Sequence, residues 1–233
     1  MKAIILAAGL GTRMKPLTNK LPKPMVKVLD KNLLEYKLES LPESITEIIL
    51  VVGYKGNIIK KYFGNNYKNK KITYVFDKTI SGTAHALWQA KSFLKGRFIV
   101  MMGDDIYSRS SILKCSKYDW SIVCKPAQKS DGYNRVVFDK NKKIINFVTP
   151  ETFYKTNKKN GLIFTGLYSM TDEIFKYKPV KLKTKNEWGL PQTLLKISKN
   201  KDIKIIKDSF WISISSPNDI ENAKLQLRNK SFL

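Results

Sequence analysis

Short apolar runs recur along the chain and alternate with segments whose apolar positions fall on one helical face. Lys2 to Ala8 is an apolar run that ends at Gly9, the pattern of a buried strand. Asn32-Leu33-Leu34-Glu35 predicts a helix start, with Asn32 as N-cap and Glu35 reaching back in a capping box. Glu47 to Val52 reads as a second strand stopped by Gly53, Lys55 to Phe63 as a short helix, and Lys71 to Phe76 as a strand of β-branched and aromatic character. Ala84 to Leu94 is helical, with Ala84, Leu87, Trp88 and Ala90 on one buried face. Arg97 to Met102 is a further apolar strand, followed at once by Gly103-Asp104-Asp105. This succession implies right-handed βαβ units and parallel strands. Beyond residue 105 the rhythm changes to short β segments: Trp120 to Lys125, Arg135 to Asp139, Lys143 to Val148 and Leu162 to Met170. Helical stretches are expected at Thr171 to Tyr177 and Leu190 to Ser198, then a strand at Phe210 to Ile214. Ser216-Pro217 would open a last helix as N-cap and first residue. The expected fold class is α/β, a mainly parallel central sheet flanked by helices (Rossmann-like), with a smaller β-rich portion. No Pro/Gly-rich linker or internal repeat divides the chain, so one domain over residues 1–233 is expected.

The strongest local signal is Leu6-Ala7-Ala8-Gly9-Leu10-Gly11-Thr12-Arg13, followed by Pro22-Lys23-Pro24. Two glycines directly after a buried strand permit a tight loop whose amides can surround phosphates. The carboxyl end of a strand is where open α/β sheets bind ligands. Met14 stands where a dinucleotide fingerprint needs its third glycine, and no Gly-Lys-Ser/Thr follows to make a P-loop. Gly-x-Gly alone is also an ordinary turn. Arg13, a permanent cation, and Lys23, held between prolines, give the loop its anion-seeking character. Asp104, after a strand and a glycine, suits a hard cation such as Mg²⁺. Gly-Asp is equally a turn pair, and local sequence alone leaves the two readings level.

Composition narrows the picture. A hydrophobic share of 42% supports a real core, and no apolar run approaches the roughly 20 residues that span a bilayer. The N-terminal apolar run resembles a short signal peptide, but the glycine-bearing charged stretch after it favours the strand. Cys115 and Cys124 form neither CxxC nor zinc spacing and read as reduced thiols of a cytoplasmic protein. The net charge of +24 draws anions: nucleotides, phosphosugars, nucleic acid or acidic membranes. Lysine clusters at 68–71 and at Lys181, Lys183 and Lys185 read first as solvated surface. No nucleic-acid motif accompanies them, so nucleic acid is not an expected partner.

The chain resembles the sugar-phosphate nucleotidylyltransferases (NDP-sugar pyrophosphorylases) over most of its length. The resemblance lies in Gly9-Leu10-Gly11-Thr12-Arg13, Pro22-Lys23-Pro24, Leu50-Val51-Val52-Gly53-Tyr54, Gly82-Thr83-Ala84-His85-Ala86, Gly103-Asp104 and Thr165-Gly166, in matching order. It implies the nucleotide-diphospho-sugar transferase type of fold, with a nucleotide-binding half at about 1–110 and an acceptor-binding half at about 111–233. It also implies transfer of a nucleoside monophosphate from a triphosphate to a sugar 1-phosphate, with release of pyrophosphate. Arg13, Lys23 and Asp104 become the catalytic candidates, with Asp104 as ligand of an Mg²⁺ cofactor. Ala8, Gly9, Gly11, Thr12, Arg13, Asp77, Gly82 and Thr83 are the nucleotide-binding candidates. Gly132, Thr165 and Gly166 are the acceptor candidates, with Tyr133, Asn134 and Glu151 behind them. His85, the one histidine, takes a structural or base-proximal role, because a phosphate monoester needs no side-chain base to become a nucleophile. Asp105 is read as a supporting group or a turn residue. The implied partners are a nucleoside triphosphate and a phosphorylated small molecule, without a membrane; a homo-oligomer is compatible.

Three departures stand out. Where the family carries Trp-x-Asp-x-Gly, this chain reads Trp211-Ile212-Ser213-Ile214-Ser215, which replaces a metal-sharing carboxylate by a hydroxyl. Asp219 or Asp208 would have to substitute, or Asp104 and the substrate phosphates hold the metal alone. Where many members carry Glu-Lys-Pro, it reads Val148-Thr149-Pro150 with Glu151 behind, which points away from a common hexose phosphate. A cytidylyltransferase acting on a phosphocholine-like acceptor is the nearest alternative. A nucleotide-sugar-binding regulatory subunit with reduced catalysis is another. Asp77 stands where uridylyl and thymidylyl enzymes place a glutamine, and a carboxylate only accepts, which suits GTP or CTP. The chain stops at Leu233 without hexapeptide repeats, so no appended acyltransferase activity is expected.

Overall fold

The computed structural model describes residues 1–141, 143–156, 161–183 and 185–228. The principal elements are β1 (Lys2–Ala7), α1 (Leu33–Ser40), β2 (Glu47–Val52), α2 (Gly56–Phe63), β3 (Lys70–Phe76), α3 (Thr83–Gln89), β4 (Arg97–Met102) and β5 (Asp105–Tyr107). They continue as α4 (Arg109–Cys115), β6 (Ser121–Pro126), β7 (Arg135–Phe138), β8 (Ile144–Val148), α5 (Pro150–Tyr154) and β9 (Leu162–Thr171). Last come β10 (Val180–Lys181), β11 (Trp188–Gly189), α6 (Leu190–Ile197), β12 (Lys204–Lys207), β13 (Trp211–Ser213) and α7 (Asn218–Arg228).

One ten-stranded sheet runs in the order β8-β7-β9-β4-β1-β2-β3 and ends on the short strand Asn66–Tyr67, while β6 pairs with β9 and β12. β1 lies parallel to both β2 and β4, and β2 parallel to β3. β9 runs antiparallel to β4 and joins the β-rich portion to the parallel half. Because β2 and β4 lie on opposite sides of β1, the chain changes winding direction there. The carboxyl ends of β1 and β4 therefore open onto a crevice, the place where such sheets bind ligands.

Burial explains the apolar runs. Ala3 to Ala7 are all buried, with Ile4 and Leu6 facing one core and Ala3, Ile5 and Ala7 the other. A strand packed on both faces has no polar positions to alternate. A third cluster joins Met14, Val26, Leu33, Ile106, Ile212 and Ala223. Met14, the residue in place of a third loop glycine, is fully buried there and anchors the first loop.

The capping box forms as expected: Glu35 N donates to Asn32 Oδ1 at 2.9 Å and Asn32 N to Glu35 Oε2 at 2.7 Å. Other expectations shift. The helix expected over 84–94 divides into α3 and a separate 3₁₀ turn at Lys91–Phe93. The stretch 171–177 is a 3₁₀ turn over Asp172–Lys176. The last helix starts at Asn218, and its cap is reversed: the Asp219 carboxylate accepts from the amides of Ser215 and Ser216, each at 2.7 Å, and from both hydroxyls. β5, α4, α5 and β12 have no counterpart among the elements expected from the sequence pattern.

Candidate active site

A cavity of about 430 Å³ occupies that crevice, a volume typical of small-molecule sites. It brings together Ala8, Gly9, Gly11, Thr12, Arg13, Lys23, Asp77, Gly82, Thr83 and Asp104 from the sequence-derived candidates. Lys185, Glu187 and Ser215 also line it. Lys185 stands in a lysine cluster that sequence reads as solvated surface, and no local motif marks Glu187.

The first loop closes because Gly11 adopts φ +64°, and a Cβ there would stand 2.9 Å from Lys23 Cβ. Lys23 thus packs directly under the loop. It is buried, and its Nζ lies 2.6 Å from Asp104 Oδ2. Arg13 is exposed and has no acidic partner among the described residues. At the first loop the cavity therefore presents the Arg13 guanidinium and the Lys23 ammonium shared with a carboxylate, both suited to phosphate oxygens, and Lys185 is a further lining cation.

Behind Asp104, the Asp105 carboxyl is buried. Burial raises its pKa, the Asp104 charge raises it further, and the Ser213 hydroxyl and Lys37 oppose the rise. β5 pairs with β13 so that Ser213 stands opposite Asp105. Lys37 is fully buried on α1 and donates to the Leu33 carbonyl at 3.0 Å. Burial lowers its pKa, against the pull of Asp105 and Asp104. The Tyr107 hydroxyl donates to the Thr165 carbonyl at 2.9 Å and lies 3.3 Å from Asp105 Oδ2.

Asp77 faces inward. Its side chain is 1% exposed. Oδ1 accepts from the amides of Thr79 and Ile80 and from the Thr79 hydroxyl, each at 3.1 Å. Oδ2 lies 3.2 Å from His85 Nδ1. Burial alone would raise the pKa of Asp77; the Ile80 amide, His85 and Thr79 outweigh it and hold it below the usual carboxylate value. His85 also contacts Gln89 Nε2 at 3.0 Å. Asp77 and His85 together fix the loop that leads to Gly82.

That loop supports the hairpin β10–β11. Trp188 N donates to the Ser81 carbonyl at 2.8 Å, and Leu190 N to Thr83 Oγ1 at 3.0 Å. Gly82 adopts φ +97°, and a Cβ there would meet the Trp188 carbonyl oxygen at 2.6 Å. Gly82 is thus a close-approach glycine against the hairpin.

The acceptor candidates lie apart from the cavity lining. Thr165 is buried and donates to the Val123 carbonyl at 2.8 Å. Gly166, at φ +79°, packs on Met102, which does line the cavity. Both stand where the pairing of β9 with β6 breaks register. Gly132 is in an exposed loop, and the neighbouring Tyr133 meets the Trp211 ring edge-on at 4.9 Å between centroids. Glu151 is an exposed residue of α5 paired with Lys155 at 2.6 Å.

The donor set decides what metal could be held. Among the described residues no three acidic, histidine or cysteine side chains converge. Of the acids that line the cavity, Asp104 is the one beside Lys23 at the first loop; Asp77 is engaged by Thr79, Ile80 and His85, and Glu187 lies on the hairpin against Gly82. Asp208 lies 3.5 Å from Lys114, and Asp219 is engaged in the α7 cap, so neither takes the role left by Ser213. One carboxylate completed by phosphate oxygens and water is a sufficient hard-oxygen set for Mg²⁺. These residues fit an ion that arrives with a nucleotide better than one bound by protein alone.

Comparison with known proteins gives the same direction. The nucleotidyl transferase family model matches residues 2–230. The Bifunctional protein GlmU of Methanocaldococcus jannaschii is 31% identical over 233 residues, covering 99% of this chain and 55% of the relative. The chain thus spans about half the length of that relative. The D-glycero-alpha-D-manno-heptose 1-phosphate guanylyltransferase of Campylobacter jejuni is 34% identical over 221 residues, covering 94% of this chain and 96% of the relative. A solved UDP-glucose pyrophosphorylase, complexed with UDP-glucose, superposes with a TM-score of 0.81 at 21% identity, covering 98% of each chain. It shares the fold.

Proposed function

Because the chain belongs to the nucleotidyl transferase family, we propose that it transfers a nucleoside monophosphate from a triphosphate to a sugar 1-phosphate, forming an NDP-sugar and releasing pyrophosphate. The observation that carries this reading is the cavity that gathers Arg13, Lys23 and Asp104 at the carboxyl ends of β1 and β4. The Campylobacter jejuni relative is by name a heptose 1-phosphate guanylyltransferase, which supports the acceptor class.

The reaction balances without a general base. An oxygen of the acceptor phosphate forms a bond to the α-phosphorus, the bond from that phosphorus to the bridging oxygen breaks, and pyrophosphate leaves with the electron pair. Catalysis is then positioning and charge neutralisation. Loop amides from Gly9 to Thr12 and the Arg13 guanidinium hold the triphosphate. Lys23 holds an α-phosphate oxygen and orients Asp104. A divalent ion bound with the nucleotide supplies further neutralisation of the phosphate oxygens, and Asp104 is the residue that would hold it. Thr165, Gly166 and Gly132 are proposed to shape the acceptor side, the first two through Met102 and Tyr107.

A second reading has a specific observation behind it. Ser213 puts a hydroxyl where a second metal-sharing carboxylate would stand beside Asp104, which favours a nucleotide-sugar-binding protein with reduced turnover. ³¹P NMR of mixtures containing Mg²⁺, each triphosphate and a panel of sugar 1-phosphates plus phosphocholine separates the two. New diphosphate-ester resonances with stoichiometric pyrophosphate support the transferase. NDP-sugar binding without product supports the second reading.

A further inference from the structure

Arg13, Lys23 and Asp104 line the cavity beside the first loop, and Ile80, Gly82 and Thr83 line it at the turn after Asp77. With Arg13 and Lys23 at the first loop for the phosphates, the wall of Ile80, Gly82 and Thr83 is left for the base, and Lys185 and Glu187 also line the cavity. The carboxylate that sequence assigns to the base, Asp77, is 1% exposed and spent on Thr79, Ile80 and His85. A different carboxylate stands at that wall. Glu187, on the hairpin docked against Gly82, lines the cavity, and a Cβ on Gly82 would lie 3.0 Å from its Cβ. Its main-chain carbonyl accepts from Leu182 N at 2.8 Å, which fixes the backbone. Among the described residues, its carboxylate meets no hydrogen bond or ion pair.

We propose that Glu187 is the base-selecting residue and that the base it selects is guanine. The inference rests on the nucleotide pocket proposed above. An ionised carboxylate offers acceptors only. Guanine presents two adjacent donors, N1–H and the 2-amino group, which a carboxylate meets with two parallel charge-assisted hydrogen bonds. Uracil and thymine present one donor flanked by carbonyl oxygens, so one carboxylate oxygen would face an acceptor. Cytosine and adenine present one amino donor beside a ring acceptor. Asp77 and His85 act one step back, as positioning residues that hold the Thr79–Gly82 loop.

Isothermal titration of the full chain with GTP, CTP, UTP, dTTP and ATP, in Mg²⁺ and without acceptor, tests the assignment. GTP is expected to bind most tightly. The Glu187→Gln variant, whose amide can pair with an imide edge, is expected to shift the GTP-to-UTP affinity ratio by about 10- to 100-fold toward UTP, with an unchanged melting temperature. Asp77→Asn is expected to weaken all five triphosphates and keep their ranking. An unaltered ratio in Glu187→Gln overturns the proposal, as does a ranking reversed by Asp77→Asn. Absence of binding by every triphosphate to the unmodified chain would instead remove the nucleotide pocket itself.

Discussion

Among the described residues Arg13 has no acidic partner, whereas Lys23 is held by Asp104 at 2.6 Å. The two cations should therefore fail differently. Arg13→Ala removes a free guanidinium and nothing else, so triphosphate affinity should fall by about tenfold or more at unchanged stability, the worth of a charge-assisted hydrogen bond. Titration with a non-hydrolysable triphosphate, alongside a melting curve, checks both halves of that statement. Lys23→Ala should lower affinity and stability together, because it leaves Asp104 beside the buried Asp105 without its counter-charge. Residue identity made this much legible: glycines, an arginine and a proline-flanked lysine after a buried strand point to phosphate. The direction in which a carboxylate faces was not legible. Asp77 and Glu187 are the same chemistry in sequence, and only the turn at Thr79 and Ile80 shows that the first is occupied. Lys37 was equally hidden, because a lysine in a helix gives no sign that its turn packs against β5.

The elements read most clearly were those buried on both faces. β2 and β4 fall at the expected residues, since continuous apolar runs leave little choice of boundary. The short pieces beyond residue 105 were harder. β5 and β13 are each three residues long and exist because they pair with each other, a contact distant in sequence. That pairing sets Ser213 opposite Asp105. At this scale Gly82 is the sensitive joint. Gly82→Ala adds a Cβ at φ +97° against the Trp188 carbonyl, so it should cost about 1 kcal/mol or more. Triphosphate affinity should fall as well, since the hairpin loses its seat; urea unfolding and titration read the two effects. The α7 cap makes a separate prediction. Asp219→Ala should cost about 1 kcal/mol at neutral pH. Burial opposes the depressed pKa of Asp219, and the Ser215 and Ser216 amides produce it. Its contribution is therefore full above the ordinary carboxylate value of 3.8 and is lost as pH falls through the lower folded value. Variant and unmodified chain should thus differ in urea midpoint at neutral pH and converge in acid.

The whole molecule carries a net charge of +24, and among the described residues no helix is long and apolar enough to cross a membrane. A field of that sign concentrates phosphorylated ligands at the surface before any specific contact forms. Triphosphate association should slow steeply between low and physiological salt, with a smaller change in dissociation, as measured by stopped-flow. Any retention of RNA or DNA at low salt should vanish at physiological salt, because the lysines are dispersed rather than aligned on a recognition element. The chemistry proposed for the chain belongs instead to the crevice where the sheet changes direction at β1. The most direct test is pyrophosphate release from a triphosphate and a sugar 1-phosphate in Mg²⁺, comparing the unmodified chain with Asp104→Asn. Release should require both substrates and collapse in the variant while the protein stays folded. Equal release by the two proteins, or none from the unmodified chain across the full substrate panel, would contradict the proposed transfer.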